Sequence, residues 1–331
     1  MRRWLPVVLA GGFVAAACSE SRTPTQPSAP SVLEVAAGTP SHIHVLPPQA
    51  LGLGLGLGEA KARGGKPTGG TGILYHGGPI IYRQNVATIY WAGSTIYNGG
   101  PAPGTHGNGA QDASLVGFFL RNLGPSPYFN INTTYFDGSG AHVQNVVQYT
   151  QSWASNTGVP ASGSTVSDAQ VQAKVVEGFT TGNLTYDAST LYAVFSGSGV
   201  NLGGGFGVQY CAYHGHFTSN GRDIKYAVMP YDADFVSGCT ALNGSPNNDF
   251  AADAEVNTLA HETEETTTDP DLNAWFDRRG FENADKCAWT FGTTYTTGNG
   301  STANMNLGGK DFLVQRNWVN AGTGGCLTQY P

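Results

Sequence analysis

The segment from residue 257 to residue 270 carries residue types suited to metal chemistry at helical spacing. His261 and Glu265 are four positions apart, so on a helix both side chains lie on one face. Glu262 directly follows His261, where it can act as a general base toward a metal-activated water. This His-Glu-x-x-Glu pattern is that of a zincin active-site helix in which Glu replaces the usual second His. The segment therefore predicts a catalytic metal site.

A catalytic zinc site needs three protein ligands and one open position, so a further ligand must come from elsewhere in the chain. We expect Glu282 to be that ligand and Asp285 to orient His261 from the second shell of contacts. Asp269, just beyond the predicted helix, is an accessory candidate. One histidine with two carboxylates is a harder donor set than two histidines with one carboxylate. Such a set still accepts zinc, which is the expected divalent ion, but it also favours manganese or calcium as alternatives.

His214 and His216 are a second pair of accessory candidates. On a strand, residues two apart point to the same face, so both imidazoles would face one site. The competing interpretation is purely structural: hydrogen-bonded histidines beside a disulfide, and an acidic helix whose Glu262, Glu264 and Glu265 face water.

The first residues predict export. Arg2 and Arg3 precede an apolar run, 4–17, that is too short to span a membrane, so residues 1–17 are interpreted as a signal peptide. Cleavage before Cys18 would leave a lipid-anchored amino terminus, and the alternative is an ordinary small-x-small cleavage site. We expect an extracellular, outer-surface or periplasmic protein that contacts a membrane only through a lipid on Cys18.

Composition agrees with an exported globular protein. The 331 residues include 40% hydrophobic and only 12% charged residues, and the formal net charge of -7 argues against nucleic acid as a partner. The four cysteines beyond Cys18 predict two disulfides, and proximity favours Cys211–Cys239 and Cys287–Cys326. Cysteine metal ligation, the alternative, lacks the usual C-x-x-C spacing.

Residues 18–71 are interpreted as a disordered low-complexity tether, because their Ser, Thr and Pro content, Leu-Gly repeat and Gly-rich end cannot bury much apolar surface. Residues 72–331 form the predicted globular domain. Strands alternate with helices there, which indicates a single α/β domain with a mixed sheet, packed helices and a zincin-like outline. The predicted strands are 86–92, 143–150, 191–195, 207–213 and 224–230, and the predicted helices are 112–123, 167–179 and 253–267.

Short motifs in a fixed order along residues 74–330 carry a family resemblance. They are YHGGP at 75–79, IYW at 89–91, cysteine with YHG at 211–215, IKYAV at 224–228, NTLA at 257–260, TDP at 268–270, ENADKC at 282–287 and the last cysteine at 326. With these motifs the chain resembles the EXORDIUM / phosphate-induced protein 1 family. The resemblance implies an extracellular protein, since plant members are apoplastic and linked to growth and brassinosteroid response, but it implies no reaction.

The chain departs from the plant members at the proposed metal helix. Those members carry small and apolar residues where His261, Glu262 and Glu265 stand, and Asn where Asp269 stands. The lipoprotein-like signal indicates a bacterial setting. Two hypotheses follow: an exported metallohydrolase, most simply a peptidase acting through Glu262, or a non-catalytic extracellular protein that binds a peptide or a cell-wall ligand and signals growth.

Overall fold

The computed structural model describes residues 43–49 and 72–331, which fall within one compact unit, Val32–Pro331. Its strands are β1 (Ile43–Leu46), β2 (Leu74–Tyr75), β3 (Gln84–Trp91), β4 (Thr105–Gly107), β5 (Val147–Ser155), β6 (Thr165–Ser167), β7 (Thr190–Ser196), β8 (Asn201–Gly203), β9 (Ala212–Ser219), β10 (Arg222–Met229), β11 (Trp275–Phe276), β12 (Tyr295–Thr296), β13 (Thr302–Ala303), β14 (Met305–Leu307), β15 (Lys310–Phe312), β16 (Asn317–Val319) and β17 (Gly325–Leu327). Its helices are α1 (Leu115–Leu123), α2 (Asp168–Thr180), α3 (Val236–Cys239) and α4 (Phe250–Thr268), with 3₁₀ turns at Gly109–Gln111, Phe129–Thr134, Asp232–Phe235 and Asp285–Cys287.

A seven-stranded mixed sheet forms the centre, in the order β1-β9-β10-β7-β3-β5-β4. The four strands from β10 to β5 run parallel, whereas β1, β9 and β4 pair antiparallel with their neighbours. Every residue of β7 is buried, as expected of a β-branched and aromatic strand covered on both faces. The predicted α/β class with a mixed sheet and packed helices is thus confirmed, and the zincin-like outline stays a prediction.

Helices cover both faces of the sheet. Helices α1 and α4 share one core with side chains such as Phe119, Leu259 and Phe195. Helix α2 covers the other face, where Val171 and Val175 pack beside Tyr192. Helix α4 crosses β9, β10 and β1, and therefore brings its polar residues against the end of the sheet where the chain's first described strand lies.

Helix α4 is buried along nearly its whole length in spite of its polarity. Asp249 caps its start by accepting a hydrogen bond from the Ala252 backbone N–H, and every residue from Ala252 to Thr268 is buried. Acidic side chains are almost never fully buried unless they are paired or bind a metal. The structural interpretation of this helix as a solvated acidic face is therefore wrong.

Both predicted disulfides are confirmed. Cys211 joins Cys239 across 28 residues, and Cys287 joins Cys326 across 39. The first bond holds the start of β9, and the second holds the 3₁₀ turn at Asp285–Cys287. Disulfides of this kind are typical of an oxidising, extracellular-type compartment.

Several predicted bounds need correction. The helix predicted over 112–123 begins at Leu115, and the strand predicted over 143–150 lies at Val147–Ser155. The strand predicted over 207–213 begins only at Ala212, because Gly207 adopts a left-handed backbone, φ +75°, in a turn that precedes it. Part of the predicted tether is ordered: β1, within 18–71, pairs with β9 at the edge of the sheet. The predicted signal peptide, residues 1–17, and Cys18 lie outside the described residues. Within residues 43–49 and 72–331, no helix is both long and apolar enough to cross a bilayer.

Candidate metal centre

Helix α4 places the two motif residues as the sequence predicts. His261 and Glu265 lie one turn apart on the same face, with His261 Nε2 3.1 Å from Glu265 Oε1, and both side chains are fully buried. Nε2 nevertheless makes no hydrogen bond of acceptable geometry with any described residue. The two atoms are close without being aimed at each other, which is the relation of two donors to a common ion.

The 3₁₀ turn after β11 brings the predicted downstream acids to this helix. The Asp285 backbone N–H donates to Glu265 Oε1 at 2.9 Å, and the Glu282 backbone N–H donates to Asp285 Oδ2 at 3.1 Å. Asp285 Oδ1 lies 3.7 Å from His261 Nε2. Asp285 therefore lies on the same side of the imidazole as Glu265, and not behind it as an orienting group.

Strand β9 contributes His214, whose side chain is fully buried. Its Nδ1 is hydrogen-bonded to Glu262 Oε2 at 3.1 Å, and Nδ1 also lies 3.6 Å from Glu265 Oε2. Its other nitrogen, Nε2, has no hydrogen-bond partner among the described residues and lies 3.7 Å from Glu282 Oε2. His214 is therefore a central member of the site and not the accessory that its sequence context suggested.

Strand β1 contributes a residue that sequence analysis missed. His44 pairs with His214 in the antiparallel register of β1 and β9. Its Nε2 is hydrogen-bonded to Asp285 Oδ2, and its Nδ1 lies 3.3 Å from Glu282 Oε1. Its side chain keeps 19% exposure, so it forms the solvent-facing side of the site.

These contacts define one group of side chains, the central cluster. It consists of His44, His214, His261, Glu262, Glu265, Glu282 and Asp285.

Several atoms of the central cluster are buried and unsatisfied. Within the described part of the chain, no hydrogen-bond partner is found for the Nε2 atoms of His214 and His261, or for one oxygen each of Glu262, Glu265 and Glu282. Buried polar atoms in folded proteins nearly always have a hydrogen-bond partner. Five buried atoms without a partner in one cluster therefore need an explanation. A divalent cation would satisfy imidazole lone pairs and carboxylate oxygens together.

The distances fit that explanation. Two donors at about 2.1 Å from one zinc ion lie about 3.0–3.4 Å apart at octahedral or tetrahedral angles, and somewhat farther apart around calcium. His261 Nε2 lies 3.1 Å from Glu265 Oε1 and 3.7 Å from Asp285 Oδ1, and these three residues offer donor atoms that all lie within 4.8 Å of one another. The donor set and its spacing therefore suit a divalent ion.

The electrostatics of the cluster also favour a bound cation, because its buried acids lie close together. Burial, and then the charge of Glu265, raise the pKa of Glu262 well above its usual range. Burial, and then the charge of Asp269, do the same to the pKa of Glu282. Burial lowers the pKa of His214, which keeps its imidazole in the neutral form that ligates metals. None of the described ion pairs joins a lysine or arginine to the cluster acids, so their charge has only the histidines to balance it.

Gln315 holds the far side of the His261 ring. Its side-chain amide nitrogen lies 2.9 Å from His261 Nδ1 and 3.1 Å from the carbonyl oxygen of Ala284. The amide oxygen of Gln315 accepts from the Trp289 backbone N–H at 3.4 Å. Ligation through His261 Nε2 requires His261 Nδ1–H to donate to that oxygen, and therefore an amide turned over from this orientation. Gln315 thus contacts the ring nitrogen of His261 that faces away from Glu265.

Asp269 lies at the edge of the cluster, where its charge acts on Glu282 and its Oδ2 has no partner among the described residues, whereas His216 lies outside it. Asp269 Oδ1 accepts hydrogen bonds from the backbone N–H groups of Asn273 and Ala274, so this side chain fastens the loop after α4. His216 shares a separate group with Asp223 and Asp271, but the Lys225 ammonium is paired with both of these acids. A lysine among its acids leaves that second group poorly suited to a cation.

Comparison with models of known protein families shows which family the chain belongs to. The model of the phosphate-induced protein 1 conserved region matches residues 124–318, more than half of the sequence. The chain belongs to the phosphate-induced protein 1 family. Searches of curated proteins and of solved structures each found no match.

The conserved region of this family member spans every residue of the central cluster except His44. The resemblance drawn from short motifs is therefore confirmed at the level of the family. The family assignment carries no reaction with it, so the chemistry of the centre depends on its own geometry.

Proposed function

We propose that the protein is an exported, metal-dependent hydrolase with a peptidase-like centre on helix α4. The observation that carries the proposal is the set of buried, unsatisfied nitrogen and oxygen atoms that converge between α4, β9 and the 282–287 segment. Zinc is the expected ion, and manganese or calcium also suit a donor set so rich in carboxylates.

The residues of the central cluster would have different roles in metal binding and catalysis. His261, Glu265 and Asp285 would hold the ion, and Glu282 would add a carboxylate on the side of His44. When bound, a divalent ion supplies a Lewis acid that polarises water and a substrate carbonyl. Glu262 keeps one oxygen unsatisfied while His214 donates to the other, so it is held in place to accept a proton from water and pass it to the leaving group.

Substrate would approach on the side of His44, since the other cluster side chains are at most 4% exposed. Export supports a substrate outside the cytoplasm, and it rests on the signal peptide 1–17 and on lipidation at Cys18. A peptide or cell-wall peptide is the ligand class that we propose, reached from an outer surface or periplasmic position.

Replacing Glu262 with Gln is expected to separate metal binding from turnover. Glutamine still accepts the His214 Nδ1–H hydrogen bond, so the ion stays, but it cannot take up a proton. Loss of a general base typically lowers the rate by about 10²–10⁴-fold. Metal content by elemental analysis and turnover of casein or a peptide library, each with and without chelator, measure the two effects.

A matched control is Glu264→Gln. Glu264 is also fully buried on α4, but its carboxylate accepts from Asn317 at 2.6 Å, away from the cluster. The control should keep both the ion and the turnover. If the metal-loaded parent hydrolyses nothing in the library, or Glu262→Gln turns over like the parent, the catalytic proposal fails.

The burial of the ligands supports a second candidate function. Structural metal sites are closed, whereas catalytic sites keep an open position, and only His44 of the central cluster reaches solvent to a notable extent. A non-catalytic extracellular protein whose ion fixes β1, β9 and α4 together would have this geometry. Metal retention without any turnover would favour it.

A further inference from the structure

Glu265 presents its two oxygens to two different histidines. Oε1 lies 3.1 Å from His261 Nε2, whereas Oε2 lies 3.6 Å from His214 Nδ1 and has no hydrogen-bond partner among the described residues. A carboxylate that faces two donor groups with opposite oxygens is placed to bridge two ions.

Two other carboxylates repeat this arrangement. Asp285 lies between His261 and His44, with Oδ1 3.7 Å from the first and Oδ2 hydrogen-bonded to the second. Glu282 lies between His44 and His214, with Oε1 3.3 Å from the first and Oε2 3.7 Å from the second. Three histidines and three carboxylates therefore alternate around the cluster.

These six alternating side chains offer more ligand atoms than one ion can bind. An imidazole binds one ion through one nitrogen, yet both nitrogens of His44 and both of His214 face acids of the cluster. One nitrogen of each ring is hydrogen-bonded to an acid, His44 Nε2 to Asp285 and His214 Nδ1 to Glu262. The other two nitrogens, His44 Nδ1 and His214 Nε2, both face Glu282, at 3.3 Å and 3.7 Å.

The number of buried negative charges is a second, independent argument for two ions. The central cluster contains four carboxylates, those of Glu262, Glu265, Glu282 and Asp285, all nearly or fully buried. The fully buried Asp269 adds a fifth carboxylate beside them, and buried negative charge needs cations or protons to balance it. Two divalent ions would balance four of these five carboxylates, and one ion only two.

We propose that the centre holds two divalent ions bridged by Glu265, an inference that rests on the proposed metal centre. One ion lies among His261 Nε2, Glu265 Oε1 and Asp285 Oδ1. The second lies among His44, Glu282 and Glu265, with His214 Nε2 beside Glu282. The donor atoms of His44, Glu265 and Glu282 all lie within 4.8 Å of one another, as do those of His261, Glu265 and Asp285.

Titration of chelator-treated protein with Mn²⁺ tests the inference on the unaltered chain. We expect two tightly bound Mn²⁺ ions per chain, and low-temperature electron paramagnetic resonance should show magnetic exchange between them, because a bridging carboxylate holds the ions close. One bound ion with the spectrum of isolated Mn²⁺ would overturn the second site and leave the proposed function standing. No bound ion would overturn both.

Single substitutions locate the two sites. His44→Ala and His261→Ala should each retain one ion and lose the exchange signal, since each removes a ligand from a different site. His216→Ala, on the same strand as His214 but outside the cluster, should keep two exchanging ions. Two exchanging ions in His44→Ala and in His261→Ala alike would overturn this assignment of ligands. A variant that fails to fold leaves the stoichiometry and spectrum of the parent to decide.

Discussion

Glu265→Ala is expected to abolish divalent-metal binding altogether. This side chain lies against His261 with one oxygen and against His214 with the other, so its removal takes a ligand from every ion that the centre holds. The loss should exceed that of any single histidine variant. Elemental analysis after loading with Zn²⁺ and dialysis against metal-free buffer measures it.

Glu264→Gln is the matched control for this experiment. Residues 264 and 265 are neighbours on α4 and both are fully buried, but Glu264 accepts from Asn317 and faces away from the cluster. The control should therefore keep the parent's metal content. If Glu265→Ala folds and binds as much metal as the parent, Glu265 is not a ligand.

Chelation is expected to lower the thermal stability of the protein strongly. The ions bind the folded chain, in which the cluster is assembled from β1, β9, α4 and the 282–287 segment, and not the unfolded chain. An ion at 1,000 times its dissociation constant contributes about 4 kcal/mol to the free energy of unfolding. For a domain of this size its removal should lower the melting temperature by roughly 8–16 °C, as measured by calorimetry.

Two comparisons separate this effect from a general action of the chelator. Adding Zn²⁺ in excess should restore the melting temperature of the parent. Glu265→Ala should melt at the same temperature with and without chelator, because it has no ion to lose. An unchanged melting temperature in the chelated parent would show that the buried acids are neutralised by protons instead.

Local spacing was enough to predict the helical part of the site. His261 and Glu265 face the same side because four residues make slightly more than one turn, whatever the helix packs against. Helix α4 extends from Phe250 to Thr268, close to the predicted 253–267. Its burial was not predictable, since it depends on which strands the helix crosses.

The downstream acids were predictable as members of the site but not in their positions. The Cys287–Cys326 disulfide and the backbone hydrogen bond from Asp285 to Glu265 hold this segment beside the helix. Which oxygen faces which nitrogen follows from the local turn. Gln315 could not be foreseen, because a glutamine about fifty residues beyond the motif carries no pattern of its own.

His44 was missed because its surroundings are compositionally those of a linker. The run Ile43–Leu46 does hold β-branched and apolar residues before two prolines, which is a weak strand signal. Its partner β9 lies some 170 residues later in the sequence. Such long-range pairing is set by the edge of the completed sheet, and no local pattern in residues 43–46 reports it.

Anomalous diffraction from crystals of the Zn²⁺-loaded protein tests the central claim most directly. The predicted result is a peak at the zinc absorption edge about 2.0–2.2 Å from His261 Nε2 and from a Glu265 oxygen. A map with no anomalous peak inside the cluster, in which His261 Nε2 instead donates a hydrogen bond to Glu265, would contradict the metal centre.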